Sequence, residues 1–355
     1  MEQVSTESRM ISDIAHTLGV EPDAVTVEHW TKNRRRTAAH FFGKFEGRPF
    51  FAKVLLRESY PLLAPIAVPD HALLQRQQIT QSGEEQIKTE WNVAEQLSQV
   101  SGPTAIPKGI ARSRNTIVWE FFPGASLDSI VKQVWTDSRE GGSSQALRDA
   151  GAWLKRLHES SSSGDGSVDL AESVDALLRY RQTLPQKLHR YIDTALHFLE
   201  LAVTRLKTDR VYVPQSFTHG DFSLPNMLWD RTAERLAIID FEHARERVIV
   251  HDLVVLLCNL RVKFLNPVIS ASAIERLEAS FWDGYGRIAP ELEILVNSLT
   301  SAWVFYHFIP KISQDRKSQG WLKRILLTAY EKFFQETLAA EASRRFRNQL
   351  QAVAN

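Results

Sequence analysis

Two short stretches hold the residues whose types and spacing suggest chemistry. Within Phe217–Trp229, His219 and Gly220 precede Asp221, and Asn226 follows it five positions later. Farther along, an apolar run from Leu236 to Ile239 ends in Asp240. Phosphoryl transfer asks for an oriented hydroxyl nucleophile and for divalent metal to neutralise charge on the phosphates, with little covalent help from the protein. Asp221 can accept a hydroxyl proton. Asn226 offers a neutral oxygen to Mg²⁺ and Asp240 a hard anionic one, the ligand types that this cation requires. Each residue alone is ordinary, because Asp and Asn are common turn formers. Their joint spacing, with a second carboxylate closing an apolar strand, is not.

These groups need a strand–loop–strand section, read over 211–242, with Leu224 and Pro225 keeping the intervening loop non-helical. A second charged residue sits in an apolar strand: Lys53, within Phe50–Leu55. A lysine there is costly unless it faces a polar partner. The strand belongs to a hairpin formed by Thr37–Phe45 and Arg48–Leu55 around Glu46 and Gly47. It is preceded by a short helix at Ile11–Leu18 and a strand at Ala24–Glu28. Ile87, Trp91, Ala94 and Leu97 recur at helical spacing over Glu84–Ser98. Thr116–Phe122 reads as a buried strand halted by Pro123 and Gly124. The expected small unit is therefore strand, hairpin, helix, strand. Beyond it the chain is mainly helical: an amphipathic helix over Gln145–Glu159, a serine-rich surface loop at Ser160–Ser167, helical patterns over 170–207, and helices through most of 250–350.

The motifs resemble those of the aminoglycoside phosphotransferase and choline kinase family. His219 to Asn226 is similar to that family's H-G-D-x-x-x-x-N catalytic loop, Ile239 to Glu242 to its I-D-F-E metal motif, and His251 to Val254 to the D-L-A motif that follows. Gly151 to His158 resembles the helix that ends in Leu-His. The ordered set spans Lys53 to about Leu257. The resemblance implies an α+β, two-lobed, protein-kinase-like fold, with a small antiparallel-sheet lobe over 1–122 that binds nucleotide. A larger, mainly helical lobe over 123–355 carries catalysis and the acceptor. It implies ATP and Mg²⁺ as cofactors, Asp221 as catalytic base, Asn226 and Asp240 on the metal, and Lys53 on the phosphates. Glu90 is the expected partner of Lys53, with Glu84 and Glu85 as rivals. Glu120 to Phe122 is the expected adenine hinge, with Phe121, Phe122 and Ile238 or Ile239 as apolar walls. Asp252 and His219 are expected to brace the catalytic loop, and Glu242 to stand near the metal.

Two features depart from the family pattern. Trp30–Thr37 contains no glycine, which leaves Lys32 and Arg34 to Arg36 as candidate phosphate contacts. The segment 58–83 is long and apolar, with Pro61, Pro65 and Pro69. Gly220 in place of an arginine before Asp221, and no glycine after Phe241, point away from the alternative of a protein kinase. Intact Asp221, Asn226 and Asp240 speak against a catalytically silent nucleotide-binding scaffold.

The acceptor is expected to be a small hydroxylated molecule, neutral or anionic and sugar-like or a glycoside. Arg245, Arg247, Arg261 and Lys263 flank the metal motif, and a polycation needs paired carboxylates instead. An aminoglycoside antibiotic is the alternative substrate. Trp282, Tyr285, Trp303, Phe305 and Tyr306 are candidates for stacking on a sugar ring. The net charge of +1 over 355 residues gives no field to attract nucleic acid. The single cysteine, Cys258, permits no intrachain disulfide and fits a reducing compartment. Met1–His16 does not read as a secretion signal, and no apolar run is long enough to span a membrane. A soluble, cytoplasmic protein is expected.

Overall fold

The structure is a computed structural model that describes residues 2–32, 38–55, 83–99, 104–133, 142–166, scattered positions within 178–200, 213–265 and 271–300. The small lobe is a five-stranded antiparallel sheet in the order β1-β2-β3-β5-β4. Its strands are β1 (Val25–Lys32), β2 (Ala38–Phe45), β3 (Arg48–Leu55), β4 (Gly109–Arg112) and β5 (Thr116–Glu120). Glu46 and Gly47 close the β2–β3 hairpin, both with positive φ (48° and 75°), the backbone of a type I′ turn.

Strand alternation sorts the side chains between two helices. Phe50, Ala52 and Val54 of β3 join Ala39, Phe41 and Val118 under α1 (Glu2–Leu18), which buries Met10, Ile14 and Ala15 on that face. Leu55, Ile117 and Trp119 point the other way, to Ile87, Val93 and Ala94 of α2 (Gly83–Ser98). Lys53 shares this second face by parity. Helix α1 is longer than the expected Ile11–Leu18, and of the added residues Met10 is buried while Ser8 and Arg9 are exposed.

The chain then passes to β6 (Ala125–Ser126), which pairs with β9 (Met227–Asp230), itself paired with β10 (Arg235–Ile238). After α3 (Leu127–Gln133), helix α4 (Ser143–Ser160) buries a stripe that includes Ala146, Leu147, Ala150, Trp153, Leu154 and Leu157. The spacing is that of one helix face. The expected serine-rich loop is only partly a loop. Gly164–Gly166 forms β7, the edge strand beside β8 (Val213–Thr218), and β8 pairs in turn with β11 (Arg245–Val248). Ser161 Oγ meets Ser216 Oγ at 2.7 Å, so the serines there dock the segment.

Helix α5 (Val250–Arg261) is buried almost all round and runs through the large lobe. Helix α6 (Ala271–Tyr285) lies close against α4. A Cβ on Gly151 would meet Phe281 O at 2.3 Å, and one on Gly284 would meet Arg148 O at 1.9 Å, so two glycines permit this crossing. A further helical stretch covers 290–300. Segment 58–83 (but for Gly83), residues Arg34 to Arg36, most of 170–207 and Trp303, Phe305 and Tyr306 lie outside the described residues. Among the described residues no helix is long and apolar enough to cross a membrane.

Candidate active site

Lys53 is 5% exposed and Glu90 is 4% exposed. The Lys53 ammonium donates to Glu90 Oε2 at 2.9 Å, to Asp240 Oδ1 at 2.9 Å and to Glu242 Oε2 at 2.7 Å. Of the two rivals, Glu84 instead pairs with Arg114 at the surface, and Glu85 is exposed. Parity places Lys53 on the cleft face of β3. The helical stripe of Ile87 and Ala94 turns Glu90 toward it. Burial works to lower the lysine, but Asp240, Glu90 and Glu242 together hold its pKa well above the ordinary value. Burial raises Glu90 to about 7 against the pull of Lys53, and the like charges of Asp240 and Glu242 raise it further. Burial also acts to raise Glu242, and here Lys53 and His243 outweigh it and hold the carboxyl low.

The loop that carries Asp221 and Asn226 stands between β8 and β9. The Asn226 amide nitrogen donates to Asp221 O at 3.0 Å and to Asp221 Oδ2 at 2.9 Å. Leu224–Asn226 forms one 3₁₀ turn, where a wholly non-helical loop was expected, and Pro225 supplies its fixed φ. Gly220 has φ +84°, and a Cβ there would lie 2.1 Å from His243 O. The loop is tied down by Asp252, fully buried, which accepts from the amides of His219 at 2.8 Å and Gly220 at 2.9 Å. Burial opposes ionisation of Asp252, yet its bond from His158 and the neighbouring imidazoles bring it down to about 2. His219 packs among Trp153, Phe222 and Phe241 beneath the loop, as expected of a support. Asp221 itself is raised, first by burial and then by the charge of Asp240.

Asp240 follows β10 with φ +68°, an uncommon conformation for a residue with a side chain. It turns the carboxylate back toward Lys53. Asn226 and Asp240 also suit a divalent cation. Both bonds to Asp221 use the Asn226 amide nitrogen, so its carboxamide oxygen takes no part in them. One carboxylate oxygen from each of Glu90, Asp240 and Glu242 lies within 4.8 Å of the others, and all three residues accept from the Lys53 ammonium. Oxygen donors such as those of Asn226 and Asp240 match Mg²⁺ chemistry.

A cavity of about 340 Å³ opens between the five-stranded sheet and the β6–β9–β10 sheet, lined in part by Lys53, Glu90, Asn226 and Asp240. Its apolar lining comes from Phe42 and Phe51 on one side and Leu228 and Ile238 on the other, with Glu120, Phe121 and Phe122 along the connection between lobes. Phe51 was not singled out in the sequence, although its place two residues before Lys53 puts it on the same strand face. Phe42 and Phe51 ring centroids lie 5.2 Å apart.

Two expectations about the acceptor side change. Arg261 is buried and bonded to Glu278 and to Asn297 Oδ1, at 2.6 Å to the latter, while Lys263 is paired with Asp128. Neither is left to frame a pocket, because acids brought in by distant elements consume them. Tyr285 is 6% exposed, and Trp282 packs against the core, so neither forms an open stacking platform. Arg245 remains, half-buried, and its Nε has no hydrogen-bond partner among the described residues. Arg247 is buried, with one guanidinium nitrogen 3.0 Å from His251 Nε2 and another donating to His243 O at 3.3 Å.

Residues 70–291, well over half of the chain, match the family model described as the phosphotransferase enzyme family, APH. No curated protein matches the chain. Among solved structures, amicoumacin kinase hAmiN in complex with AMP-PNP and Ca²⁺ is 15% identical with a TM-score of 0.54, covering 95% of this chain and 96% of that one. That likeness speaks for the fold. A hygromycin B complex of aminoglycoside phosphotransferase APH(4)-Ia is 14% identical at a TM-score of 0.48, covering 97% and 98%. A macrolide 2′-phosphotransferase from Brachybacterium faecium is 15% identical at 0.45, covering 90% and 97%.

Proposed function

The chain belongs to the phosphotransferase enzyme family, and on that premise we propose that it moves the terminal phosphoryl group of ATP to a hydroxyl of a small molecule. The observation that carries this reading is a convergence. Lys53, Asn226 and Asp240 share the wall of one apolar cavity, and Asp221 is hydrogen-bonded to Asn226. In this reading residues 1–122 are the nucleotide lobe and 123–355 the catalytic and acceptor lobe. The backbone of Glu120 to Phe122 holds the adenine, with Phe42 and Phe51 against one face and Leu228 and Ile238 against the other. Lys53, positioned by Glu90, meets the phosphates. Asn226 and Asp240 would hold Mg²⁺, with Glu242 beside them, and the metal would neutralise charge on the transferred group. Asp221 accepts the proton of the attacking hydroxyl. Its raised pKa favours that role at neutral pH.

The acceptor is neutral or anionic, in the manner of a sugar or glycoside. Arg245 supports this, since it lies on β11 next to the metal motif and its buried Nε has no hydrogen-bond partner among the described residues. Seating a polycation beside it without paired acids would cost several kcal/mol. The test is ADP release across sugars, glycosides, amino alcohols and aminoglycosides. Turnover with a neutral or anionic acceptor is expected. Rapid phosphorylation of kanamycin would overturn the acceptor class, and nucleotide binding with no turnover on any hydroxylated acceptor would overturn phosphotransfer.

A further inference from the structure

Behind the catalytic loop, a buried chain of polar groups reaches a helix that brings no residue to the cavity. Tyr285 closes α6, and its hydroxyl lies 2.9 Å from Nδ1 of His158, the last buried residue of α4. The other imidazole nitrogen, Nε2, lies 3.3 Å from Asp252 Oδ2. Asp252 is the residue that receives the amides of His219 and Gly220. Tyr285, His158 and Asp252 are 6%, 5% and 0% exposed, so water is in no position to replace any of these bonds.

The proton positions follow from the acceptors. Asp252, held ionised, can only accept, so Nε2 must carry the hydrogen that points to it. Burial pushes the Tyr285 phenol up, so it keeps its O–H. That hydroxyl can then donate into the bare Nδ1. We propose that Tyr285 is a positioning residue of the phosphotransfer site, which fixes the Nε2–H tautomer of His158 and thereby the carboxylate that holds the Gly220 and His219 amides. Asp221 follows Gly220 directly, so the setting of one amide governs the base. The close crossing of α4 and α6 through Gly151 and Gly284 brings the phenol into reach. Sequence could not have paired these residues, which are 127 positions apart.

The tautomer is read without any turnover, by long-range ¹H–¹⁵N spectra of the histidine rings, with His158 identified by its loss in His158→Gln. Wild type should show a bare Nδ1 and a protonated Nε2 on His158. Tyr285→Phe should mix the two tautomers and speed hydrogen exchange of the Gly220 amide. It should also lower kcat about tenfold, the scale of one buried hydrogen bond, with KM for ATP unchanged. A hydrogen on Nδ1 in the wild type would overturn the proposal. So would a Tyr285→Phe protein whose melting temperature falls while the His158 tautomer and Gly220 exchange stay as they were. The kcat arm rests on the phosphotransfer reading; absence of turnover in the wild type would sink that reading alone and leave the two spectroscopic results to decide this one.

Discussion

The carboxamide of Asn226 holds Asp221 by two bonds from one nitrogen, to the main-chain oxygen at 3.0 Å and to Oδ2 at 2.9 Å. One residue therefore shapes the loop, orients the carboxylate and keeps its own oxygen for another ligand. The five-residue spacing is what makes this possible, since the 3₁₀ turn at Leu224–Asn226 folds the chain back on itself.

Asp221→Asn should leave the fold and nucleotide affinity nearly unchanged while turnover falls about 10²–10⁴-fold, the usual cost of removing a positioned base. Steady-state ADP release and a nucleotide thermal shift on the same preparation check both halves. Near-wild-type turnover would pass the role to another group.

ATP should stabilise the protein chiefly with Mg²⁺ present, because Asn226 and Asp240 reach the nucleotide through metal. At ligand concentrations about a hundred times Kd the gain is about 2.7 kcal/mol, visible as a rise in Tm. Asp240→Ala should abolish the Mg²⁺-dependent part. An ATP shift indifferent to both the metal and this substitution would contradict the assignment.

Glu90 carries a pH signature. Its folded pKa is raised from 4.5 to about 7. Between those values the folded protein binds more protons at this site than the unfolded chain, so this group's contribution falls as pH rises through the window. Gln cannot titrate. Urea midpoints of wild type and Glu90→Gln, compared from pH 4.5 to 7, should therefore shift in favour of the variant as pH rises. A constant difference would mean that folding leaves the Glu90 pKa unshifted.

Gly220→Ala should be severe for its size. The left-handed backbone alone costs a residue with a Cβ about 1–2 kcal/mol, and the new carbon would press on His243 O at 2.1 Å. Loss of stability and of kcat together is expected. A variant with unchanged melting temperature and turnover would show that the loop relaxes freely.

Lys53→Met should destabilise more than Glu90→Gln. It leaves Glu90, Asp240 and Glu242 facing one another with no cation, and breaking a buried pair on one side typically costs about 3–5 kcal/mol. Equal midpoints for the two variants would show that water or a bound ion already screens the three carboxylates.

Much of the site was legible because its signals are local. The Asp221–Asn226 offset, the apolar run before Asp240, the lysine inside an aromatic strand and the Glu-Gly hairpin turn are each set by near neighbours. Backbone geometry over a few residues leaves little choice there. Strand parity and helical spacing extend the reading one step, to Glu90 over Glu84, and with the same parity Phe51 was within reach. The acceptor side was not legible. Arg261 and Lys263 are basic in the sequence, yet the carboxylates of Glu278 and Asp128, remote along the chain, pair with them, and Asn297 accepts a further bond from Arg261. Tyr285 looked like a surface for a sugar and is instead bonded to His158. Composition and periodicity record what a residue is and which face it occupies. Which partner waits across a helix crossing is decided when the helices pack, because burial leaves each charge and hydroxyl only the few neighbours that the close contact at Gly151 and Gly284 and the rest of the core allow.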